Sequence, residues 1–140
     1  MMEPCPYEIG EILYHAPPMI LIDAVTEADE TEVAARVDIH TETPFLQGEE
    51  VPAYVGIEYM AQSIAAWSGI KARKSGGEPR IGYLVSTRNM KMTGGNYRIG
   101  DRLEISVRLV YDETPMAVFD CEIRRAGNCL AEARLNVYQP

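Results

Sequence analysis

The chain has 140 residues, 46% hydrophobic and 24% charged, which suffices to bury a core without disulfide or metal staples and predicts one domain over 1–140. Its net charge of -8 argues against a nucleic-acid partner, and no unbroken apolar stretch reaches the roughly 18 residues a membrane span needs. The three cysteines, Cys5, Cys121 and Cys129, lack CxxC or Cys/His ligand spacing, so free thiols in a reducing cytoplasm and no metal site are expected.

The N-terminal stretch MMEPCPYEIGEILYH carries acids and no basic region, so no secretory leader is expected. Tyr7 to Leu13 reads as a short helix that the Pro17-Pro18 pair stops. Met19 to Ala28 is rich in branched residues and predicts a strand. Thr31 to Ile39 alternates and predicts the next, joined through a short Asp29-Glu30 hairpin. Thr41 to Val51 reads as loop. Pro52 stands where helices begin, and a helix is predicted to about Lys74. Lys71, Arg73 and Lys74 complement its C-terminal dipole, and Ser75-Gly76-Gly77 ends it. Four strands follow: Arg80 to Met92, Arg102 to Tyr111, Met116 to Arg124 and Asn128 to Tyr138.

The helix is apolar nearly all round, as buried helices are. Strands before it and four antiparallel strands after it predict a sheet wrapped around one central helix, an α+β hotdog architecture. Open sheet edges then predict an edge-to-edge homodimer. Glu58 is the only acidic residue between Val51 and Gly77. A carboxylate in such a helix needs a partner, a hydrogen bond or a proton. Charge is also uneven: residues 71–102 hold eight of the 13 basic residues and only two acids. Such a segment either steers an acidic or phosphate-bearing partner or is a set of scattered solvated positions.

Two stretches carry a resemblance. In His15-Ala16-Pro17-Pro18-Met19-Ile20-Leu21-Ile22-Asp23 a His is followed by a Pro three later, an apolar run, and an Asp eight after the His. In Pro52-Ala53-Tyr54-Val55-Gly56-Ile57-Glu58-Tyr59-Met60-Ala61-Gln62 a Pro opens a helix, a carboxylate comes six later, and Met-Ala-Gln follows. The pair resembles the signatures of the hotdog-fold β-hydroxyacyl-acyl-carrier-protein dehydratases, and the wording of the second is most similar to the branch of aryl-polyene and related type II polyketide pathways.

The resemblance implies that His15 takes the α-proton and Glu58 protonates the leaving β-hydroxyl, the two acting across a dimer interface to give a trans-2-enoyl thioester and water. An imidazole titrating near neutral pH suits the base, and burial would keep a carboxyl protonated as the acid. Amides around Ala53, Tyr54 and Val55 would bond the thioester oxygen as enolate charge develops. Gln62, one turn after Glu58, either orients the carboxylate or satisfies itself. Tyr54, Tyr59 and Met60 either line an acyl tunnel or are core, and Gly82 would mark a close backbone approach. No cofactor is expected beyond the phosphopantetheine that carries the substrate. The expected partner is acyl carrier protein or a coenzyme A thioester, met by the basic segment.

Some positions depart from the pattern. Tyr14 stands where a Pro usually precedes the His, Ala16 where an Arg follows it, and Ala53 where a Gly follows the helix-opening Pro. The loop that usually carries His-Phe-Pro-Gly is shortened to Gly48-Glu49-Glu50-Val51. A different acyl group, or dependence on a partner subunit in a heterodimer or higher oligomer, is consistent with these changes. A hotdog thioesterase and a non-catalytic hotdog subunit are the alternative readings.

Overall fold

The computed structural model describes residues 2–15 and 18–140. Ala16 and Pro17, part of the first signature, lie outside the described residues. After a two-residue strand β1 (Glu3–Pro4) comes one helical turn, α1 (Ile9–Ile12). Its start is held by the Glu11 carboxylate, which accepts from the Glu8 amide at 2.9 Å, half of a capping box. Strands β2 (Ala24–Ala28) and β3 (Glu32–Asp38) follow. The Asp29 carboxylate accepts from the amides of Thr31 and Glu32 at 2.8 and 2.7 Å and so closes the turn between them.

A short β4 (Glu50–Val51) precedes a 3-10 turn (Ala53–Val55), which leads into the long helix α2 (Gly56–Lys74). Then come β5 (Tyr83–Met92), β6 (Tyr97–Arg98), β7 (Arg102–Glu113), β8 (Met116–Arg125) and β9 (Asn128–Tyr138). Seven strands form one antiparallel sheet in the order β1-β2-β3-β7-β8-β9-β5, and β4 pairs with β6. The expected α+β hotdog is therefore the fold: a sheet curls over α2. Alternation places Val33, Ala35 and Val37 of β3, Leu103, Ile105 and Val107 of β7, and Phe119, Cys121 and Ile123 of β8 on the buried face. Against them α2 packs Tyr59, Met60, Ile64, Trp67 and Ile70.

Two glycines of α2 permit this approach. A Cβ on Gly56 would run into the Tyr97 hydroxyl and the Ile123 side chain, and one on Gly69 would strike the Ile12 carbonyl. The element boundaries differ from the sequence reading in two places that matter. Pro52 has an extended ψ of 140°, so it caps a 3-10 turn and regular helix begins only at Gly56. The predicted strand from Met19 shrinks to Ala24–Ala28. Residues 19–22 join no strand; the Leu21 amide and the Met19 carbonyl bond a helix side chain, that of Gln62, instead.

Candidate active site

Along α2 the residues Glu58, Ala61, Ala65, Ser68 and Ala72, with Gln62 beside Ala61 and Ser75 just past the helix end, recur every three or four positions. This spacing puts them on one stripe of the helix. The sheet does not cover that stripe. It lines one wall of a cavity of about 400 Å³, within the usual range of ligand pockets. The facing wall comes from Gly82, Tyr83 and Leu84 at the start of β5, the Asp112–Met116 turn region, Phe119 of β8, and Tyr138 and Gln139 at the end of β9. Tyr14 and His15 lie at the cavity as well.

His15 is half-buried and stacks on Tyr14, ring centroids 4.0 Å apart. Its Nδ1 is buried and has no hydrogen-bond partner among the described residues. Desolvation holds the imidazole below its ordinary pKa, and the negative charge of Glu58 opposes that shift in part. His15 and Glu58 of one chain therefore line one cavity, whereas the resemblance pairs the base of one chain with the acid of the other. A lowered pKa leaves the ring neutral, with a lone pair free, near pH 7.

The site also corrects the sequence reading. Glu58 is exposed in the single chain, because the sheet wraps the opposite side of α2. The apolar burial expected around it is absent from this chain alone. Tyr59 sits about 100° around the helix from Glu58 and belongs to the core: it is 1% exposed, with its ring 5.9 Å from that of Tyr97. Burial pushes the Tyr59 hydroxyl well up and that of Tyr97 up to about 12. Met60 is likewise core, and Tyr54 is 64% exposed and does not line the cavity.

Two of the three amides expected to cradle the thioester oxygen are already paired within the chain. The Ala53 amide donates to Asn96 Oδ1 at 3.0 Å and the Val55 amide to the Pro52 carbonyl at 3.1 Å. Ala53 and Val55 lie away from the cavity lining. Gly82 does line it, but it precedes β5, and a Cβ there would meet the Tyr138 carbonyl at an ordinary 3.7 Å. The close approach expected of Gly82 is not made.

Gln62 makes no hydrogen bond to Glu58; its side chain is satisfied on backbone groups of residues 19–22. Its Oε1 accepts from the Leu21 amide at 2.8 Å, and its Nε2 donates to the Met19 carbonyl at 2.6 Å. Asp23, which closes the first signature, accepts from the Asp38 amide at 2.6 Å and so ties the start of β2 to the end of β3. Of the eight basic residues in 71–102, Lys71 and Arg80 line the cavity. Lys91, Arg98 and Arg102 pair instead with Glu132, Glu50 and Asp38. The cluster in sequence is therefore split in space. Among the described residues, no group of three or more His, Cys, Asp or Glu side chains is arranged to hold a metal ion.

The sequence reading missed Tyr14, Ser68, Tyr83 and Gln139 as cavity residues. The repeat of small residues at 61, 65, 68, 72 and 75 after Glu58 was the available signal, since small side chains along one stripe leave room for a ligand.

The family model described as ApeP-like, ApeP dehydratase, matches residues 7–140. The chain belongs to the ApeP-like dehydratase family. It is also similar to the 3-hydroxyacyl-[acyl-carrier-protein] dehydratases FabZ of Bartonella quintana, at 30% identity over 134 residues (91% of this chain and 84% of the relative), and of Nitratiruptor sp., at 29% over 137 residues (91% and 92%). Among solved structures, the dehydratase heterocomplex ApeI:P from Xenorhabdus doucetiae superposes with a TM-score of 0.92 at 28% identity, covering 97% of this chain and 93% of that one. A hypothetical thioesterase with coenzyme A from Streptococcus pneumoniae shares the fold at 10% identity and a TM-score of 0.65, covering 83% and 84%. In this ApeP-like dehydratase the two signatures thus sit on a hotdog scaffold, with their His and Glu at one cavity.

Proposed function

We propose that the chain is a hydro-lyase that removes water from a β-hydroxyacyl thioester carried on acyl carrier protein, giving a trans-2-enoyl thioester in fatty acid or polyene-type synthesis. One observation supports this reading above the rest: His15 and Glu58, from separate elements, open on the same cavity. His15 takes the α-proton, and the electron pair of that C–H bond becomes the new C=C. The C–O bond to the β-hydroxyl breaks, and Glu58 supplies the proton that lets it leave as water. The proton on His15 then returns to the Glu58 carboxylate through solvent, which closes the cycle.

The single chain leaves this site open. The ten-residue β5 is a sheet edge whose Tyr83, Leu84 and Val85 are 52, 40 and 56% exposed, a surface that a second hotdog chain would cover. Tyr83 and Leu84 also line the cavity, so pairing there would shut water from its mouth. The partner is a second copy or a different hotdog chain. Lys71 and Arg80 at the cavity suit the phosphate of a pantetheine arm. The assembly works in a reducing cytoplasm, consistent with three free cysteines.

The test is product analysis. The assembled protein, given a β-hydroxyacyl carrier protein, is expected to form enoyl product without releasing thiol. Release of free thiol at a comparable rate would instead establish thioester hydrolysis.

A further inference from the structure

The groove along α2 is longer than the acid–base chemistry needs, and its far part is polar. Glu58 and Lys71 both line it, and between them the helix advances about 20 Å at 1.5 Å per residue. At Ser68 the helix wall meets the opposite one. The Ser68 hydroxyl donates to Gln139 Oε1 at 2.9 Å, and Gln139 Nε2 donates to the Arg80 carbonyl at 3.0 Å. The Gln139 backbone amide is held on the Pro115 carbonyl at 2.9 Å. A carbonyl only accepts, so the bond to Arg80 fixes which way the Gln139 side chain faces. Among the described residues, these bonds leave one Nε2 hydrogen and the lone pairs of Ser68 Oγ unused. The cavity is thus offered one donor and one acceptor close together, the complement of a single amide.

We propose that Ser68 and Gln139 form a subsite for the pantetheine arm of the substrate, bonding the arm's amide farther from sulfur. The inference rests on the dehydration reading above, with Lys71 and Arg80 at the arm's phosphate. Length carries the argument. From the phosphorus of the arm to the β-oxygen of the acyl group run about 17 bonds, which span about 20 Å at the ~3.5 Å per three backbone bonds of an extended chain. That is the span from Glu58 to Lys71. The outer amide lies about 11 to 12 bonds from the β-oxygen, or about 13–14 Å, and Ser68 lies about 15 Å along the helix from Glu58. Ala61 and Ala65, on the stretch between, leave room for the chain and offer it no side-chain bond. A plain acyl chain laid here would strip water from the Ser68 and Gln139 groups and replace none of its bonds, which is unfavourable. Glu58, Ser68, Lys71, Arg80 and Gln139 belong to one chain, so the register holds whichever chain of the assembly supplies the base.

The experiment follows enoyl formation by the complete assembly from one β-hydroxyacyl group presented in two ways. One substrate is carried on holo carrier protein; the other is the N-acetylcysteamine thioester, which keeps only the amide nearer the sulfur. Ser68→Ala combined with Gln139→Leu is expected to lower kcat/KM for the carrier-linked substrate by about 10- to 100-fold. Most of that loss is expected in KM, because the bonds are remote from the reacting atoms. For the N-acetylcysteamine thioester kcat/KM is expected to stay within about twofold. Ser68→Ala alone removes one hydroxyl from a helix that favours alanine. Should the double variant not fold, this single variant carries the comparison, with about a 2- to 10-fold loss expected on the carrier-linked substrate only. Equal losses on both substrates overturn the proposal, and so does an unchanged kcat/KM on the carrier-linked one. A shift in preferred acyl length without loss of arm dependence would give this part of the groove to the acyl chain and also overturn it. An unaltered assembly that forms no enoyl product from either substrate would overturn the dehydration reading, and the subsite with it.

Discussion

His15 is a base whose affinity for protons has been reduced by its surroundings. Desolvation lowers its pKa, and Glu58 offsets part of the shift. Because the folded value lies below the ordinary value of about 6.5, the neutral base persists at lower pH than free imidazole would. The acid limb of kcat/KM is therefore expected below about 6.5, and a pH-rate profile with the limb at or above that value would contradict it. The same sign governs stability: the contribution of a neutral His15 is present above about 6.5 and is lost as pH falls through the folded value. With only two histidines, His15 and His40, an NMR titration resolves each. Glu58→Gln removes the one opposing charge and is expected to lower the His15 pKa further; a rise would show that the two side chains do not share a site. The histidine and the glutamate were legible from their signatures. The exposure of Glu58 was not, because hydropathy counts Ala61, Ala65 and Ala72 as apolar whether they face a core or an empty groove.

At the scale of elements, α2 is held close to its neighbours by glycines, and the consequences differ by position. Gly69→Ala places a methyl against the Ile12 carbonyl, a backbone atom that cannot rotate away. Gly56→Ala places one against the Tyr97 hydroxyl and Ile123. Each is expected to cost about 1–3 kcal/mol in urea unfolding, with Gly69→Ala the worse. Gly82→Ala meets only ordinary contact, and its stability is expected to stay within about 0.5 kcal/mol. A large loss there would restore the close approach that the sequence reading expected. The long helix and the last three strands were readable because each repeats its pattern for ten or more residues. Strands β4 and β6, two residues each, are too short to show a period. Residues 19–22 have strand composition, yet the amides of Leu21 and Ile22 are satisfied by Gln62, a contact about 40 residues away in sequence that no local pattern contains.

The whole molecule presents an open groove beside an open edge. No helix among the described residues is long and apolar enough to cross a membrane. The exposed apolar side chains of β5 instead fit a protein partner, and Val85 stands outward at 56% exposure without lining the cavity. Val85→Lys is expected to weaken the assembly, read as a lower mass in sedimentation at equal concentration, because an edge lysine opposes strand pairing. An unchanged mass would place the interface elsewhere. The topology that brings β5 beside β9 at this edge was not legible, since the sequence reading ordered the strands along the chain and not across the sheet.

The central claim is that His15 and Glu58 carry out one dehydration together. Single-turnover conversion of a β-hydroxyacyl carrier protein by the assembled His15→Ala and Glu58→Gln proteins tests it most directly. Each variant is expected to fold, bind substrate and form enoyl product at least about 100-fold more slowly than the unaltered protein; an undiminished rate in either would contradict the account.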